Sequence, residues 1–278
     1  MIRLFATDLD KTLLVENRIP PENIKALQEL QARGVVVCFT SGRVVSSIDW
    51  LAKEAGLSVA IVGSNGAIAV DEAGGVRYER PISERAFDAL VDIGEKHRLH
   101  YHCYNRDTFI TSHLDTRSFS HLLVEEDRRG KAYQCNILIQ KDLHTLCGVI
   151  KALKVQYVTA PQEEAVVLRE LEAIEDIAVT LSGPCLIEAM AEGVDKWYGI
   201  EHLARSLGIQ KEEIAACGDY LNDRMMIANA GWGVAVDNAL DSVKEVADFV
   251  TDSNENFGIA RAVEELIRRN RLPERICG

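Results

Sequence analysis

The chain has 278 residues, 47% hydrophobic and 27% charged, which is ordinary for a globular protein long enough to hold two domains. Its formal net charge of -12 and pI near 5.1 exclude a basic footprint, and so argue against a nucleic acid or an anionic membrane as partner. A small anionic substrate stays open, because a bound metal reverses the field inside a single pocket.

No apolar stretch approaches the roughly 20 residues of a membrane span. The N-terminus enters a strand at once and reaches an acidic pair by Asp8, so no signal peptide is expected. Seven cysteines, at 38, 103, 135, 147, 185, 217 and 277, are scattered, with no C-x-x-C pair. Neither a zinc knuckle nor a disulfide framework is expected from them. Cys277 is second from the end, which does not fit a prenylation signal. The expected compartment is the cytoplasm, and the expected state a monomer or small homo-oligomer.

In chain order, Ile2, Leu4 and Phe5 make an apolar run too short for a helix and rich enough for a buried strand. Asp8 and Asp10 follow where that strand ends, the edge at which open α/β sheets bind ligands. Two like charges so close are unfavourable unless a cation or a reaction needs them, and a hard ion such as Mg2+ prefers oxygen ligands; taken alone, the pair equally fits a solvated turn. Pro20-Pro21 starts a helix with Ile24, Leu27 and Leu30 on one face, and Gly34 ends it. Val35 to Phe39 reads as a buried parallel strand with Thr40-Ser41-Gly42-Arg43 at its end. A helix to about Gly56 and a strand Val59 to Val62, closed by Gly63-Ser64-Asn65-Gly66, complete a doubly wound α/β beginning.

From Ala67 the pattern changes. Ala67 to Val70 and Val76 to Glu79 read as a hairpin. A helix follows Pro81, then strands near 99–104, 107–112 and 132–140, helices near 142–154 and 162–173, and strands near 177–182 and 185–190. Strand pairs mixed with helices predict an inserted α+β unit over 81–187, leaving 1–80 and 188–278 as the core. The α/β rhythm resumes with a helix from Asp195 to Leu207 and the strand Ile214 to Cys217, which ends in Gly218-Asp219-Tyr-Leu-Asn222-Asp223. Short strands at 233–236 and 249–251 and a last helix from Ile259 to Asn270 close the chain.

Strand ends therefore carry Asp8 and Asp10, Ser41, Asn65, and Asp219 with Asn222 and Asp223, while Lys196 opens the helix after the insert. Singly, Ser41 would be a helix cap, Lys196 a surface lysine and Asp223 a helix N-terminal charge. A parallel sheet places its strand ends on one edge, where these groups supply a carboxylate nucleophile, a second carboxylate, a hydroxyl, a fixed cation and an acidic loop. That is equipment for phosphoryl transfer. His100 and His102 share one strand face and are expected to be a pair within the insert's sheet rather than metal ligands.

With these motifs in order, the chain resembles the haloacid dehalogenase superfamily of phosphohydrolases, in its Cof-type branch with a large inserted cap. The residues that carry the resemblance are Asp8-Leu-Asp10-Lys-Thr12, Thr40-Ser41-Gly42-Arg43, Lys196 and Gly218-Asp219-Tyr-Leu-Asn222-Asp223. Lys11 departs from the family's usual glycine, and Trp197 from the small residue after the lysine, where it is expected to narrow the site. The resemblance implies a Rossmann-like core under an α+β cap, and a phosphatase that forms an aspartyl-phosphate on Asp8. Asp10 would be the general acid and base, and Lys196 would neutralise charge. Ser41, Gly42, Arg43, Asn65 and Asn222 would contact the substrate. Asp8, Asp10 through its backbone carbonyl, Asp219 and Asp223 would form the Mg2+ shell. Substrates implied are sugar phosphates or phosphorylated cofactors such as pyridoxal phosphate or flavin mononucleotide, with His113 and Arg117 as candidate selecting residues in the cap. A phosphomutase of the same superfamily is the alternative within enzymes; a phospho-receiver or a non-catalytic binding protein is the alternative outside them.

Overall fold

The computed structural model describes residues 1–113 and 136–275. In chain order the strands are β1 (Leu4–Asp8), β2 (Val36–Thr40), β3 (Ala60–Gly63), β4 (Ile68–Val70), β5 (Val76–Glu79), β6 (His100–Tyr104), β7 (Thr108–Thr111), β8 (Asn136–Ile139), β9 (Lys154–Val158), β10 (Ile177–Gly183), β11 (Leu186–Ala191), β12 (Ile214–Gly218), β13 (Trp232–Ala235) and β14 (Phe249–Val250). They form two sheets.

The first sheet has the order β14-β13-β12-β1-β2-β3-β4-β5, with β14 through β3 parallel and the β4–β5 hairpin antiparallel at the edge. β1 lies between β2 and β12, and from it the chain order runs outward on both sides. The reversal falls there, and it opens a crevice beyond the strands' carboxyl ends. Helices cover both faces. Phe5 packs with Phe39, Leu27 and Val263 on one side, while Leu4 and Ala6 pack with Val62, Ile200 and Met226 on the other. Every residue of β1 is buried, and its apolar run Leu4-Phe5-Ala6 gives way to polar Thr7 and Asp8 at the carboxyl end.

The second sheet, β10-β11-β9-β6-β7-β8, is antiparallel except for the pair β7–β8. One face packs on the helices Glu84–Lys96 and Glu164–Glu172 through Tyr101, Cys103, Val155, Tyr157 and Ile187. Its last strand, β11, runs to Ala191, across the expected boundary at 187, and Glu192–Asp195 links it to the helix Lys196–Ser206. The mixed α/β class with a parallel-sheet core is as expected.

The sequence expectation fails over 142–154. The apolar spacing of Leu143, Leu146, Ile150 and Leu153 imitates a helix, but only a single 3-10 turn, Leu143–Leu146, forms. Gly148 then takes a left-handed conformation (φ +70), and the chain enters β9 at Lys154. β9 sits between β11 and β6, inside the sheet. His100 and His102 lie on the face opposite Tyr101 and Cys103, and His100 Nδ1 is 3.1 Å from His113 Nε2. Among the described residues no helix is long and apolar enough to cross a membrane.

Candidate active site

β1 delivers Asp8 to the crevice, and the chain turns through Leu9–Leu13 with Lys11 left-handed at φ 62. That conformation explains why glycine is the commoner residue in the motif this one resembles; a lysine there carries about 1 kcal/mol of strain. Thr12 is buried, and its hydroxyl donates to Asp219 Oδ1 at 2.9 Å, tying the first turn to the loop after β12. In that loop the amides of Asp219 and Tyr220 donate to Asp223 Oδ2 at 3.0 and 3.1 Å. A Cβ on Gly218 would stand 2.4 Å from the Cβ of Asp223, so only glycine lets the loop fold back this tightly.

Lys196 is the first residue of its helix, capped by Asp195, whose side chain accepts from the Tyr198 amide at 2.7 Å. Its ammonium donates to Asp8 Oδ1 at 2.5 Å and to Asp223 Oδ1 at 2.6 Å, and the residue is 1% exposed. The loop after β3 supports this helix start. A Cβ on Gly66 (φ +99) would fall 1.8 Å from the Asp195 carbonyl oxygen.

Asp8, Asp219 and Asp223 each offer an oxygen, and the three atoms lie within 4.8 Å of one another in a buried cluster. Burial, and then repulsion from Asp223, Asp219 and Asp10, pushes the Asp8 carboxyl well above its ordinary value, with Lys196 opposing. Burial and Asp223 raise Asp219 to about 7, against Thr12 and Lys196. Burial works against the Lys196 ammonium, but Asp223 and Asp8 outweigh it and hold its pKa above normal. Three buried carboxylates facing one lysine leave negative charge over. An all-oxygen donor set of this kind fits a hard divalent cation such as Mg2+.

The Asp10 carboxylate stands apart from that cluster. It accepts from Arg43 Nε at 2.9 Å and from Arg43 Nη2 as well, and it is not one of the three carboxylates that converge. Ser41, Gly42 and Arg43 all line the cavity over Asp8, and the Ser41 hydroxyl accepts from the Arg43 amide at 3.2 Å. Asn222 lines it too and donates to Asn65 Oδ1 at 3.3 Å. Asn65 itself lies in a neighbouring cleft and donates to Glu188 across the two sheets. Trp197 packs into the core against the cluster around Ile200 and Leu203, away from the cavity it was expected to narrow.

The cavity has a volume of about 280 Å3, and its far wall belongs to the second sheet: Tyr104, Lys154, Gln156, Ser182, Leu186 and Glu188. None of these was singled out in the sequence. Lys154-Val-Gln-Tyr-Val does alternate, with Val155 and Tyr157 on the helix-covered face and Lys154 and Gln156 on the cavity face. Of the two residues expected to select substrate, His113 is exposed and does not line the cavity, and Arg117 lies outside the described residues.

A family model described as haloacid dehalogenase-like hydrolase matches residues 5–263. A 5-amino-6-(5-phospho-D-ribitylamino)uracil phosphatase of Bacillus subtilis is 29% identical over 275 residues, covering 96% of each chain. Among solved structures, a haloacid dehalogenase-like hydrolase from Bacillus subtilis superposes with a TM-score of 0.85 at 25% identity, over 95% of this chain and 100% of its own. Another, from Bacteroides thetaiotaomicron, gives 0.82 at 27% identity over 96% and 100%. The chain belongs to the haloacid dehalogenase-like hydrolases, and it is a phosphatase.

Proposed function

We propose that this member of the haloacid dehalogenase-like hydrolases removes the phosphoryl group from small phosphorylated metabolites, sugar phosphates or phosphorylated cofactors, through an aspartyl-phosphate on Asp8. The observation that carries the reading is Asp8 itself: a buried carboxylate at the switch point of a parallel sheet, bonded to Lys196 and facing a small cavity closed by a second sheet. Asp8 attacks phosphorus as the bond to the leaving oxygen breaks, and Asp10 gives that oxygen its proton. Asp10, now a carboxylate held by Arg43, takes a proton from the water that attacks the phosphorus, freeing Asp8 and phosphate. Lys196 opposes the burial and like charges that raise the Asp8 carboxyl, and Ser41 offers a hydroxyl to a phosphoryl oxygen. Asp8, the Asp10 carbonyl and Asp219, with Asp223 beside them, would hold Mg2+, whose charge would neutralise that developing on the phosphoryl group.

The insert between β5 and Lys196 acts as a cap that excludes bulk water and leaves room for a small molecule only. The ribityl phosphate in the name of the Bacillus subtilis relative is an ester of that size and kind. The free thiols of Cys38, Cys103, Cys147, Cys185 and Cys217 suit a reducing cytoplasm. A screen for Mg2+-dependent phosphate release, small metabolites against a folded phosphoprotein, tests the reading. Metabolite turnover that chelation abolishes is expected; preference for the phosphoprotein, or full activity under chelation, would overturn it.

A further inference from the structure

A sheet face buried against another domain is ordinarily apolar, yet the cavity face of the second sheet carries charge. Lys154 is 1% exposed and Glu188 2%, and the ammonium donates to Glu188 Oε1 and to Gln156 Oε1 at 3.2 Å. The other Glu188 oxygen accepts from Asn65 of the core. Lys154 Nζ also stands 4.6 Å from the Tyr104 ring centroid and 3.1 Å from where a Cβ on Gly42 would be, so the pair sits directly on the loop that carries Ser41. Burying an ion pair seldom adds stability over an apolar pair of the same volume, which leaves its position over the cavity to be accounted for.

We propose that Lys154 and Glu188 select substrate by charge, admitting phosphoesters whose leaving group is uncharged and hydroxylated and turning away those with a second anionic group. The inference rests on the reading of the Asp8 cavity as a site for small phosphorylated metabolites. Of the four cations that line the cavity, three face carboxylates: Arg43 faces Asp10, Lys196 faces Asp8 and Asp223, and Lys154 faces Glu188; the fourth, Lys11, belongs to the turn after β1 and not to the second sheet. A second phosphate or carboxylate brought to the far wall would meet a neutralised lysine and the Glu188 carboxylate itself. A hydroxyl both donates and accepts, so it can donate to Glu188 and accept from Lys154 or the Gln156 amide. The alternation of β9 places Lys154 and Gln156 on this wall together, and the β9–β11 register sets Gln156 opposite Glu188.

Titration calorimetry on full-length Asp8→Asn protein with Mg2+ reads the pair without turnover, using a hexitol monophosphate, the matching hexitol bisphosphate and phenyl phosphate. The monophosphate should bind at least about tenfold more tightly than the bisphosphate, as expected for one charge-assisted hydrogen bond kept or lost. Adding Glu188→Gln leaves Lys154 without its counter-charge and should shift the ratio of the two constants toward the bisphosphate by about tenfold. Adding Lys154→Gln instead should reduce the preference for hexitol monophosphate over phenyl phosphate by a similar factor. Tighter binding of the bisphosphate by the parent protein, an unchanged ratio in the Glu188 variant, or equal losses for both monoesters in the Lys154 variant would overturn the proposal. Should the Glu188 variant not fold, the parent ratio and the Lys154 variant decide alone. Phosphate release by the wild-type protein, measured in parallel, tests the underlying reading separately.

Discussion

Replacing Lys196 by Met keeps the length of the side chain and removes its charge, leaving Asp8, Asp219 and Asp223 buried together with no ammonium between them. Because the lysine is 1% exposed, its ion pairs are not screened by solvent. Removing one partner of a buried pair costs about 3–5 kcal/mol, since the charge left behind is uncompensated. For a chain of this size that corresponds to a fall in Tm on the order of 10 °C. Mg2+ should recover part of the loss, because carboxylates freed of the competing ammonium bind it more tightly than in the wild type, and a cation bound only by the folded state stabilises it, by about 2.7 kcal/mol at a hundred times its Kd. Thermal unfolding of wild type and variant, each in chelator and in excess Mg2+, measures both effects. The gap should be wide in chelator and narrower with Mg2+, and kcat should fall by about 10²–10³. Lys196→Arg should not restore activity, because the planar guanidinium does not fit a pocket shaped around an ammonium. A variant that melts with the wild type in chelator would refute the argument that this lysine holds the carboxylates together.

Asp8→Asn keeps the side chain's shape and should abolish phosphate release with little loss of stability in chelator; wild-type turnover would remove Asp8 as nucleophile. The raised Asp219 carboxyl, at about 7 in the fold against 3.8 as its ordinary value, sets a pH dependence. A carboxyl raised by folding imposes no penalty below about pH 4, and a penalty that grows as pH climbs to about 7. The rise in Tm produced by Mg2+ should therefore be larger at pH 8 than at pH 5, and an equal rise at both would contradict it. Gly66→Ala forces a Cβ to within 1.8 Å of a backbone oxygen at φ +99 and should cost about 3 kcal/mol or more. Gly56→Ala, also left-handed but with nothing within 4 Å, should cost only about 1 kcal/mol. Denaturant midpoints for the two variants compare them directly.

Much of the core was legible because its determinants are local. β1, β2 and β3 are buried on both faces, so each appears in sequence as an unbroken apolar run with polar residues crowding its end. The parallel sheet then does what no sequence spacing states: it brings Asp8 and Asp219, 211 positions apart, within reach of one ion. The motifs said which groups matter, and the switch point said where they meet. What sequence could not supply was the partner of each group. Asp10 and Arg43 were both placed in the site, but that they hold each other depends on the turn at Lys11 and on the loop after β2.

The wall contributed by the second sheet was hidden for a different reason. Reading alternation on a strand assumes that the polar face meets water, and Lys154 and Gln156 break that assumption because their face meets the core domain across a cavity. The preceding Leu143, Leu146, Ile150 and Leu153 point the same way, since their spacing satisfies a helix, yet the backbone turns extended at Cys147 and left-handed at Gly148. A buried lysine in the middle of a sheet is intelligible only once Glu188, 34 residues on, is placed beside it. Such a pair contributes little to folding, so no periodicity of the core requires it. Its placement depends on what must fit between the two sheets, and a single sequence does not carry the shape of that molecule. Polar residues on a strand flanked by apolar partners are thus ambiguous between a solvent face and a binding face, and only the other wall of the cavity decides which they are.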